Sequence, residues 1–174
     1  FRALTIVDVF SREALASEVG KQLRAKNVVD VCNRLVATRG APKRVFTDNG
    51  SEFAGQMFDL WAYHHGVQID FSRPGKPTDN SFVESFNGSL RDECSNVNGF
   101  ESIDEAKTTL EDWRRDYDES RPHQALGQRK PLECLLDALR SELDDTHRRR
   151  VAPATTRSGE VSLRAFPARK RLDL

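Results

Sequence analysis

Residues 45–53 read Val-Phe-Thr-Asp-Asn-Gly-Ser-Glu-Phe, and they place the carboxylate of Asp48 directly after a short apolar run. Residues 44–47 have the composition of a β-strand. The triplet that follows, residues 48–50, is a common turn signal, and most such triplets are turns and nothing more. The stretch therefore predicts a strand that presents Asp48 at its end, and its functional meaning depends on a second carboxylate elsewhere in the chain.

That second carboxylate is Glu84, in residues 77–87, which read Pro-Thr-Asp-Asn-Ser-Phe-Val-Glu-Ser-Phe-Asn. Thirty-five residues separate Glu84 from Asp48. Apolar residues at four-residue spacing predict a helix whose stripe docks on a sheet: Phe82, Phe86 and Leu90. A second face of that helix carries four polar residues, Asn80, Glu84, Asn87 and Arg91. This face either looks toward a ligand or is an ordinary solvated face.

Two carboxylates in these settings suit a hard divalent cation, Mg²⁺ or Mn²⁺, better than zinc. Attack on a DNA phosphodiester uses one metal ion to activate the nucleophile and another to neutralise the leaving oxygen. Three acidic side chains can hold both ions. We therefore predict that Asp48 and Glu84 are catalytic metal ligands, and that a third carboxylate completes the site.

Strand and helix signals alternate along the chain. Strands are predicted over residues 2–9, 14–19, 44–47 and 67–71. Helices are predicted over residues 25–38, around Glu84, over 102–119 and over 131–145, together with one that Ser51 caps and that buries Phe53, Met57, Leu60 and Trp61 on one side. Residues 74–77 form a stiff loop before the Glu84 helix. This alternation favours an α/β domain.

The chain has 174 residues and a formal net charge of zero, but its charge is unevenly distributed. From His147 to Leu174 there are eight basic residues and two acidic ones, a net charge of +6, which leaves about −6 on residues 1–146. Residues 1–145 are accordingly predicted to form the core domain, and residues 146–174 a basic, disordered tail. The tail either attracts DNA phosphates or is merely solvated.

Several functional classes are disfavoured by composition. No apolar run approaches the roughly 20 residues that span a bilayer, and the first residues lack both a Met and a signal-peptide pattern, so we expect a cytoplasmic protein whose N-terminus lies upstream. Cys32, Cys94 and Cys134 have no spacing typical of zinc ligands and are odd in number. They are predicted to be buried thiols.

Four stretches together resemble a known family. They are the Asp8-x-Phe10-Ser11-Arg12 turn, residues 47–53, residues 80–87, and residues 117–126, which read Tyr-Asp-Glu-Ser-Arg-Pro-His-Gln-Ala-Leu. Over about residues 1–131 the chain is similar to the catalytic cores of bacterial insertion-sequence transposases and retroviral integrases, the DDE family. It departs from the family pattern at Asp118, where Asn is usual, and at Ser95 and Gly99, where an apolar and an aromatic residue are expected.

The resemblance implies a ribonuclease-H-like mixed sheet flanked by helices, dependence on Mg²⁺ or Mn²⁺, and cutting and joining of DNA at transposon ends and target. It also implies a homo-oligomer, an upstream helix-turn-helix region or protein, no membrane association, and a location at the nucleoid. Five residues are candidates for DNA contact or, alternatively, ordinary surface polarity: Arg73, Lys76, Asn80, Asn87 and Arg91.

The third carboxylate is the missing element of this resemblance. In the family it lies on a first strand upstream of the opening hairpin, so that strand is expected to be missing here. Asp8 is not its replacement, because the missing strand would separate Asp8 from Asp48 by two strand spacings, about 10 Å. We predict instead that Asp8 accepts backbone hydrogen bonds in a turn. A sheet without its central strand would have open edges, which predicts a poorly folded, inactive chain.

Three functions follow, in decreasing order of preference. The first is the catalytic core of a transposase. The second is an inactive remnant that acts only as a DNA-associated or assembly module. The third is a ribonuclease-H-like nuclease of another lineage.

Overall fold

The computed structural model describes residues 1–73, 81–148 and 159–167. Its strands are β1 (Arg2–Asp8), β2 (Ala14–Gly20), β3 (Arg44–Thr47), β4 (Gln68–Phe71) and β5 (Glu160–Pro167). Its α-helices are α1 (Ala25–Arg39), α2 (Gln56–His65), α3 (Ser81–Leu90), α4 (Ile103–Ser120) and α5 (Pro131–Arg148). A π-helical turn, Arg91–Ser95, continues α3, and a 3₁₀ turn, Gln124–Leu126, lies between α4 and α5. The expected alternation of strands and helices is confirmed.

The five strands form one mixed sheet in the order β2-β1-β5-β3-β4. β1 and β2 are an antiparallel hairpin, and β3 and β4 are parallel. The last strand, β5, lies between these two pairs. It runs antiparallel to β1, from the pair Arg2↔Pro167 to the pair Asp8↔Val161, and parallel to β3, from Arg44↔Glu160 to Thr47↔Leu163. The C-terminal strand therefore occupies the centre of the sheet.

The prediction of a disordered tail over residues 146–174 is wrong for residues 160–167. In this segment apolar Val161 and Leu163 alternate with Ser162 and Arg164, which is the two-residue period of a strand. Leu163 is fully buried, and the backbone pairs with neighbours on both sides. Because β5 fills the gap between β1 and β3, the expectation of open strand edges at the centre of the sheet is also wrong.

Helices cover both faces of the sheet. On one face, α1 and α2 pack on Leu4, Ile6, Val45 and Leu163, with Val28, Val31, Phe58 and Trp61 as their main buried side chains. On the other face, α3 and α4 pack on Ala3, Val7, Ala14 and Val19, with Val83, Phe86, Leu90 and Leu110 as theirs. The sheet thus has a hydrophobic core on each side, and α3 is held against the second one.

The helix after β3 differs from the prediction. It begins at Gln56 with Gly55 at its N-cap, and Ser51 caps nothing, because the backbone N–H groups of Phe53 and Ala54 both bond the Gly50 carbonyl in a turn. The buried face of α2 consists of Phe58, Trp61 and Ala62. Met57 and Leu60, which were expected to be buried, are 48% and 66% exposed.

The apolar stripe of α3 is also shifted from the one predicted. Phe86 and Leu90 are buried as expected, but Val83, rather than Phe82, is the third member. Phe82 is 42% exposed, and the Arg12 guanidinium lies over its ring, 3.5 Å from the centroid. The predicted loop over residues 74–77 lies outside the described residues.

The cysteines and the helices bear on two predictions made from composition. Cys32, Cys94 and Cys134 are all buried and free, as predicted. Burial raises the pKa of the Cys32 thiol to about 12, so this thiol stays protonated. Within residues 1–73, 81–148 and 159–167, no helix has the length and apolar character needed to cross a membrane.

Candidate active site

Asp48 follows β3 directly and lies in a turn that fixes its carboxylate. Its Oδ1 accepts a hydrogen bond from the Gly50 backbone N–H at 2.9 Å. A β-carbon at Gly50 would lie 2.9 Å from Asp48 Oδ1 and 3.0 Å from Glu52 Cδ, so a larger residue there would require one of the two carboxylates to move. The Asn49 side chain donates to the Ser72 carbonyl at 3.0 Å, which ties the turn to the segment after β4.

Glu84 approaches from the first turn of α3. The helix is held on the sheet by Val83 and Phe86, which flank Glu84 on the buried side and are 0% and 1% exposed. The Glu84 side chain itself is 36% exposed. It is therefore open to solvent on one side while its backbone is rigidly placed by the core.

A third side chain joins these two carboxylates, and it is a cation. Arg164 of β5 donates from Nη1 to Glu84 Oε1, and its Nε lies 3.6 Å from Asp48 Oδ2. The parallel ladder explains this position: the last pair of β3 and β5 is Thr47↔Leu163, so Asp48 and Arg164 come next on adjacent strands. The expected convergence of Asp48 and Glu84 is present, and one guanidinium contacts both.

Behind this cluster, β1 is tied to α3 by a buried hydrogen bond. Thr5 Oγ1 donates to Asn87 Oδ1 at 2.8 Å, and it also lies 3.3 Å from the carbonyl oxygen of Arg164, its partner in the β1–β5 ladder. Asn87 is 1% exposed. Its selection as a DNA contact is therefore wrong, because its position on α3 faces the sheet and not solvent.

Asp8 behaves as predicted for a turn residue. Its Oδ1 accepts hydrogen bonds from the Phe10 N–H at 3.1 Å, the Ser11 N–H at 2.6 Å and the Ser11 hydroxyl at 2.7 Å. In the sheet, β5 separates the strand of Asp8 from the strand that leads to Asp48. Asp8 is therefore not a third carboxylate of this site.

The other candidate DNA contacts are only partly described. Arg73 follows β4 and Arg91 begins the π-helical turn, and both residues are exposed. Lys76 and Asn80 lie outside the described residues. Arg73 and Arg91 thus stay candidates for DNA contact.

Arg164 is the site residue that the sequence prediction missed. The alternation of Val161 and Leu163 with Ser162 and Arg164 was a usable strand signal. It was obscured by the basic residues around it, which are typical of a solvated tail. The register that brings Arg164 beside Asp48 has no signal in the sequence, because it depends on pairing between segments more than a hundred residues apart.

The arrangement fits a cation by its donor chemistry. The carboxylates of Asp48 and Glu84 both contact the Arg164 guanidinium, which shows that a positive charge is stabilised at this position. Carboxylate oxygens are also the ligands that Mg²⁺ and Mn²⁺ prefer. Among the residues that the structure describes, however, no group of three or more His, Cys, Asp or Glu side chains could hold a metal ion. Asp48 and Glu84 are therefore the described residues whose oxygens would hold such an ion.

The Tyr-x-x-x-Arg-Pro-His element joins the end of α4 to its surroundings. The Tyr117 ring packs on Phe86 and on His123, with both centroid distances 4.8 Å, and Arg121 pairs with Glu93 at 2.5 Å. The His123 N–H donates to the Arg129 carbonyl at 2.9 Å, so His123 anchors the loop after α4. The element contributes packing to α3 and does not reach Asp48.

Asp118, the unusual residue in that element, is buried. Its Oδ1 accepts a hydrogen bond from the Ala14 N–H at 2.8 Å, and its Oδ2 lies 3.1 Å from Arg114 Nη1. Burial raises the pKa of the Asp118 carboxyl to about 7, although the Ala14 hydrogen bond and Arg114 act in the opposite direction. Asp118 thus links α4 to β2 with a carboxyl group that titrates near neutral pH.

Comparison with known families identifies the segment that carries the site. Residues 1–77 match one family model and residues 65–131 match another, and both models are described as an integrase core domain. The two matches together include every strand and helix that precedes α5. β5 lies outside both matches. Asp48 lies in the first match and Glu84 in the second.

Proteins of bacterial insertion elements are similar to the same segment. An uncharacterized 31.7 kDa protein of insertion element IS407 from Burkholderia multivorans is 42% identical over 132 residues, which is 76% of this chain and 48% of that protein. The transposase for element IS904 from Lactococcus lactis is 30% identical over 129 residues, or 72% of this chain and 51% of that protein. The chain spans about half the length of these relatives.

Solved structures show a similar fold. The catalytic core domain of BIV integrase superposes with a TM-score of 0.63 at 18% identity and covers 80% of this chain and 89% of that domain. A chain of the simian T-cell lymphotropic virus intasome, solved with the PP2A regulatory subunit B56 gamma, gives the same TM-score at 19% identity and covers 89% of this chain and 51% of its own. The expected ribonuclease-H-like fold, a mixed sheet flanked by helices, is thereby confirmed.

Proposed function

The chain belongs to the integrase core domain family, and from this we propose that it forms part of the catalytic core of a DNA transposase, which cleaves DNA strands and joins them to a target. The observation that carries the proposal is the convergence of Asp48 and Glu84 on one positive charge. These residues come from two elements, the end of β3 and the first turn of α3. Their approach is a property of the fold and not of the local sequence.

In this proposal the two carboxylates hold Mg²⁺ or Mn²⁺ when the guanidinium of Arg164 is displaced. Such an ion supplies Lewis-acid chemistry, polarising a phosphodiester and lowering the pKa of the attacking hydroxyl or water. The protein's part is orientation. The Gly50 N–H fixes one oxygen of Asp48, and the buried side chains of α3 fix the position of Glu84.

The partners proposed for the complete protein are DNA at the transposon ends and at the target, further copies of the same chain, and an upstream helix-turn-helix region or protein. Arg73 and Arg91 are the described candidates for phosphate contacts, because they are exposed cations near β4 and α3. The proposed location is the bacterial cytoplasm, at the nucleoid during transposition.

A second function is favoured by one specific observation. Arg164 neutralises the carboxylates that catalysis requires, and the described residues contain no group of three acidic side chains that could hold a metal ion. A chain fixed in this state would keep the fold and its surfaces without the chemistry. It would then act as a DNA-associated or assembly module.

The deciding experiment is Glu84→Gln in the complete protein encoded by the element, with strand transfer measured on DNA that carries the element's ends. The substitution removes a charge and a metal ligand but little volume, so we expect strand transfer to fall about 10³-fold or more while DNA binding is unchanged. Glu119→Gln, at an exposed position of α4, is the matched control and should leave activity intact. Activity of Glu84→Gln within tenfold of the parent would show that Glu84 is not a ligand, and an inactive parent would support the assembly module.

A further inference from the structure

The position of Arg164 is set by strand pairing on both sides of β5. β5 has seven registered pairs with β1 and four with β3. Leu163, the residue before Arg164, is fully buried between the strands and the α1–α2 layer. On the opposite face, the Arg164 carbonyl lies 3.3 Å from the Thr5 hydroxyl, which also bonds Asn87 of α3. The backbone that carries this guanidinium is thus fixed from both neighbouring layers.

The guanidinium lies between the two carboxylates. The side chains of Arg164, Asp48 and Glu84 are 34%, 31% and 36% exposed, so all three are partly withdrawn from water at the same place. Charged hydrogen bonds in such a setting are stronger than exposed surface pairs, and they hold their partners in fixed directions. A divalent cation that uses the same oxygens would meet the positive charge of Arg164 at close range.

We propose that Arg164 is the resident cation of this site, and that β5 keeps divalent cations from Asp48 and Glu84 as long as the guanidinium contacts both carboxylates. The inference rests on the proposed function only in taking these two carboxylates as the metal ligands. The sheet register adds a second consequence. Position 164 is beside Asp48 on the adjacent strand and faces Glu84, so it is the third corner of the site, and an acidic residue there would complete a set of three carboxylates.

Binding of Mn²⁺ to the full 174-residue chain tests this proposal, measured by calorimetric titration and by the shift of the thermal transition in 10 mM MnCl₂. The parent chain and Arg164→Lys, which keeps the charge, are expected to show no shift. Arg164→Ala should bind Mn²⁺ at least tenfold more tightly than the parent chain. Arg164→Asp should show a rise in Tm of about 5 °C or more, because the added carboxylate is a ligand and also repels the other two without metal.

A double variant locates the binding. Glu84→Gln in the Arg164→Asp chain removes one ligand and should abolish most of the Mn²⁺-dependent rise. Circular dichroism without metal shows whether each variant is folded. An Arg164→Asp chain that folds only when Mn²⁺ is added supports the proposal, and if it stays unfolded in both conditions, Arg164→Ala decides.

The proposal is overturned if the parent chain binds Mn²⁺ as tightly as the variants, or if folded Arg164→Ala and Arg164→Asp bind none. Failure of the proposed function has a different outcome. The Arg164 variants could bind Mn²⁺ and yet cut no DNA, both as the 174-residue chain and within the complete protein. That result would support the role of Arg164 and contradict the proposal of a transposase catalytic core. A parent chain that binds Mn²⁺ through Glu84 and cuts DNA would support the transposase core and contradict the role proposed for Arg164.

Discussion

Asp48 and Arg164 each follow the last pair of the parallel β3–β5 ladder, Thr47↔Leu163. Their side chains meet, with Nε of Arg164 3.6 Å from Oδ2 of Asp48. This contact links two residues that are 116 positions apart in the sequence. β3 delivers the carboxylate and β5 delivers the cation, so the charge balance of the candidate site depends on a strand that follows every other described element. A change that removes β5 from the sheet would therefore also remove the cation from the candidate site.

The first prediction concerns the burial of β5. Leu163→Ala should lower the free energy of unfolding by about 2–5 kcal/mol, because the side chain is fully buried in the core beside Ile6 and Val45. Urea denaturation measures the loss. Leu136→Ala, at a position 43% exposed on α5, is the matched control and should cost much less. Equal, small losses in both variants would mean that β5 is not packed in the sheet.

The second prediction concerns the whole strand. A chain that ends at residue 158 loses the central strand, which leaves the facing edges of β1 and β3 unpaired. Buried backbone groups without partners are costly, and open edges promote aggregation. We expect the shortened chain to lose its cooperative thermal transition, which the full chain should show. A cooperative transition of the shortened chain within about 5 °C of the full chain would contradict the central role of β5.

Local patterns predicted most of the elements because their signals lie within a few residues. The hairpin of β1 and β2, the short strand before Asp48, and helices α1, α4 and α5 all follow from periodicity and turn residues. The predicted start of α2 was wrong, since residues 51–54 form a separate turn on the Gly50 carbonyl and the first turn of α2 bonds the Gly55 carbonyl. Such a choice between two turns depends on packing that the local sequence does not contain.

The site was predictable to the extent that it is local. Asp48 and Glu84 were selected from their own contexts, and in the structure both contact one guanidinium, while their role as metal ligands stays a prediction. Arg164 was not found, because its pairing with Asp48 joins residues 116 positions apart, and Asn87 was misplaced because helix periodicity alone did not give its rotation on the sheet. Long-range register and helix rotation are tertiary properties, so they escape patterns of three or four residues.

The third prediction compares two phenylalanines on the same helix. Phe86 is 1% exposed and packs on Trp113 and Tyr117, so Phe86→Ala should lower the free energy of unfolding by about 3–5 kcal/mol. Phe82 is 42% exposed and its main contact is Arg12, so Phe82→Ala should cost about 1 kcal/mol or less. Chemical denaturation of both variants gives the comparison. Similar losses would mean that the rotation of α3 on the sheet is not as described.

The last prediction concerns the pH dependence of stability at Asp118. Its carboxyl has a pKa raised by burial from the ordinary 3.8 to about 7, so the folded state holds this proton more tightly than the unfolded state does. The stability it contributes is fully present below about pH 4 and is lost as the pH rises through about 7. Asp118→Asn has no proton to lose and keeps an oxygen that accepts from the Ala14 N–H.

The Asn variant should therefore be more stable than the parent at pH 8, by about 1–3 kcal/mol, with the difference shrinking as the pH falls toward 4. Urea denaturation at pH 4.5, 6 and 8 measures this difference. Asp116→Asn, exposed on the same helix, controls for the loss of one negative charge from α4. If Asp118→Asn destabilises the protein at pH 8, the ion pair with Arg114 outweighs the cost of burying the Asp118 carboxylate, and the raised pKa is wrong.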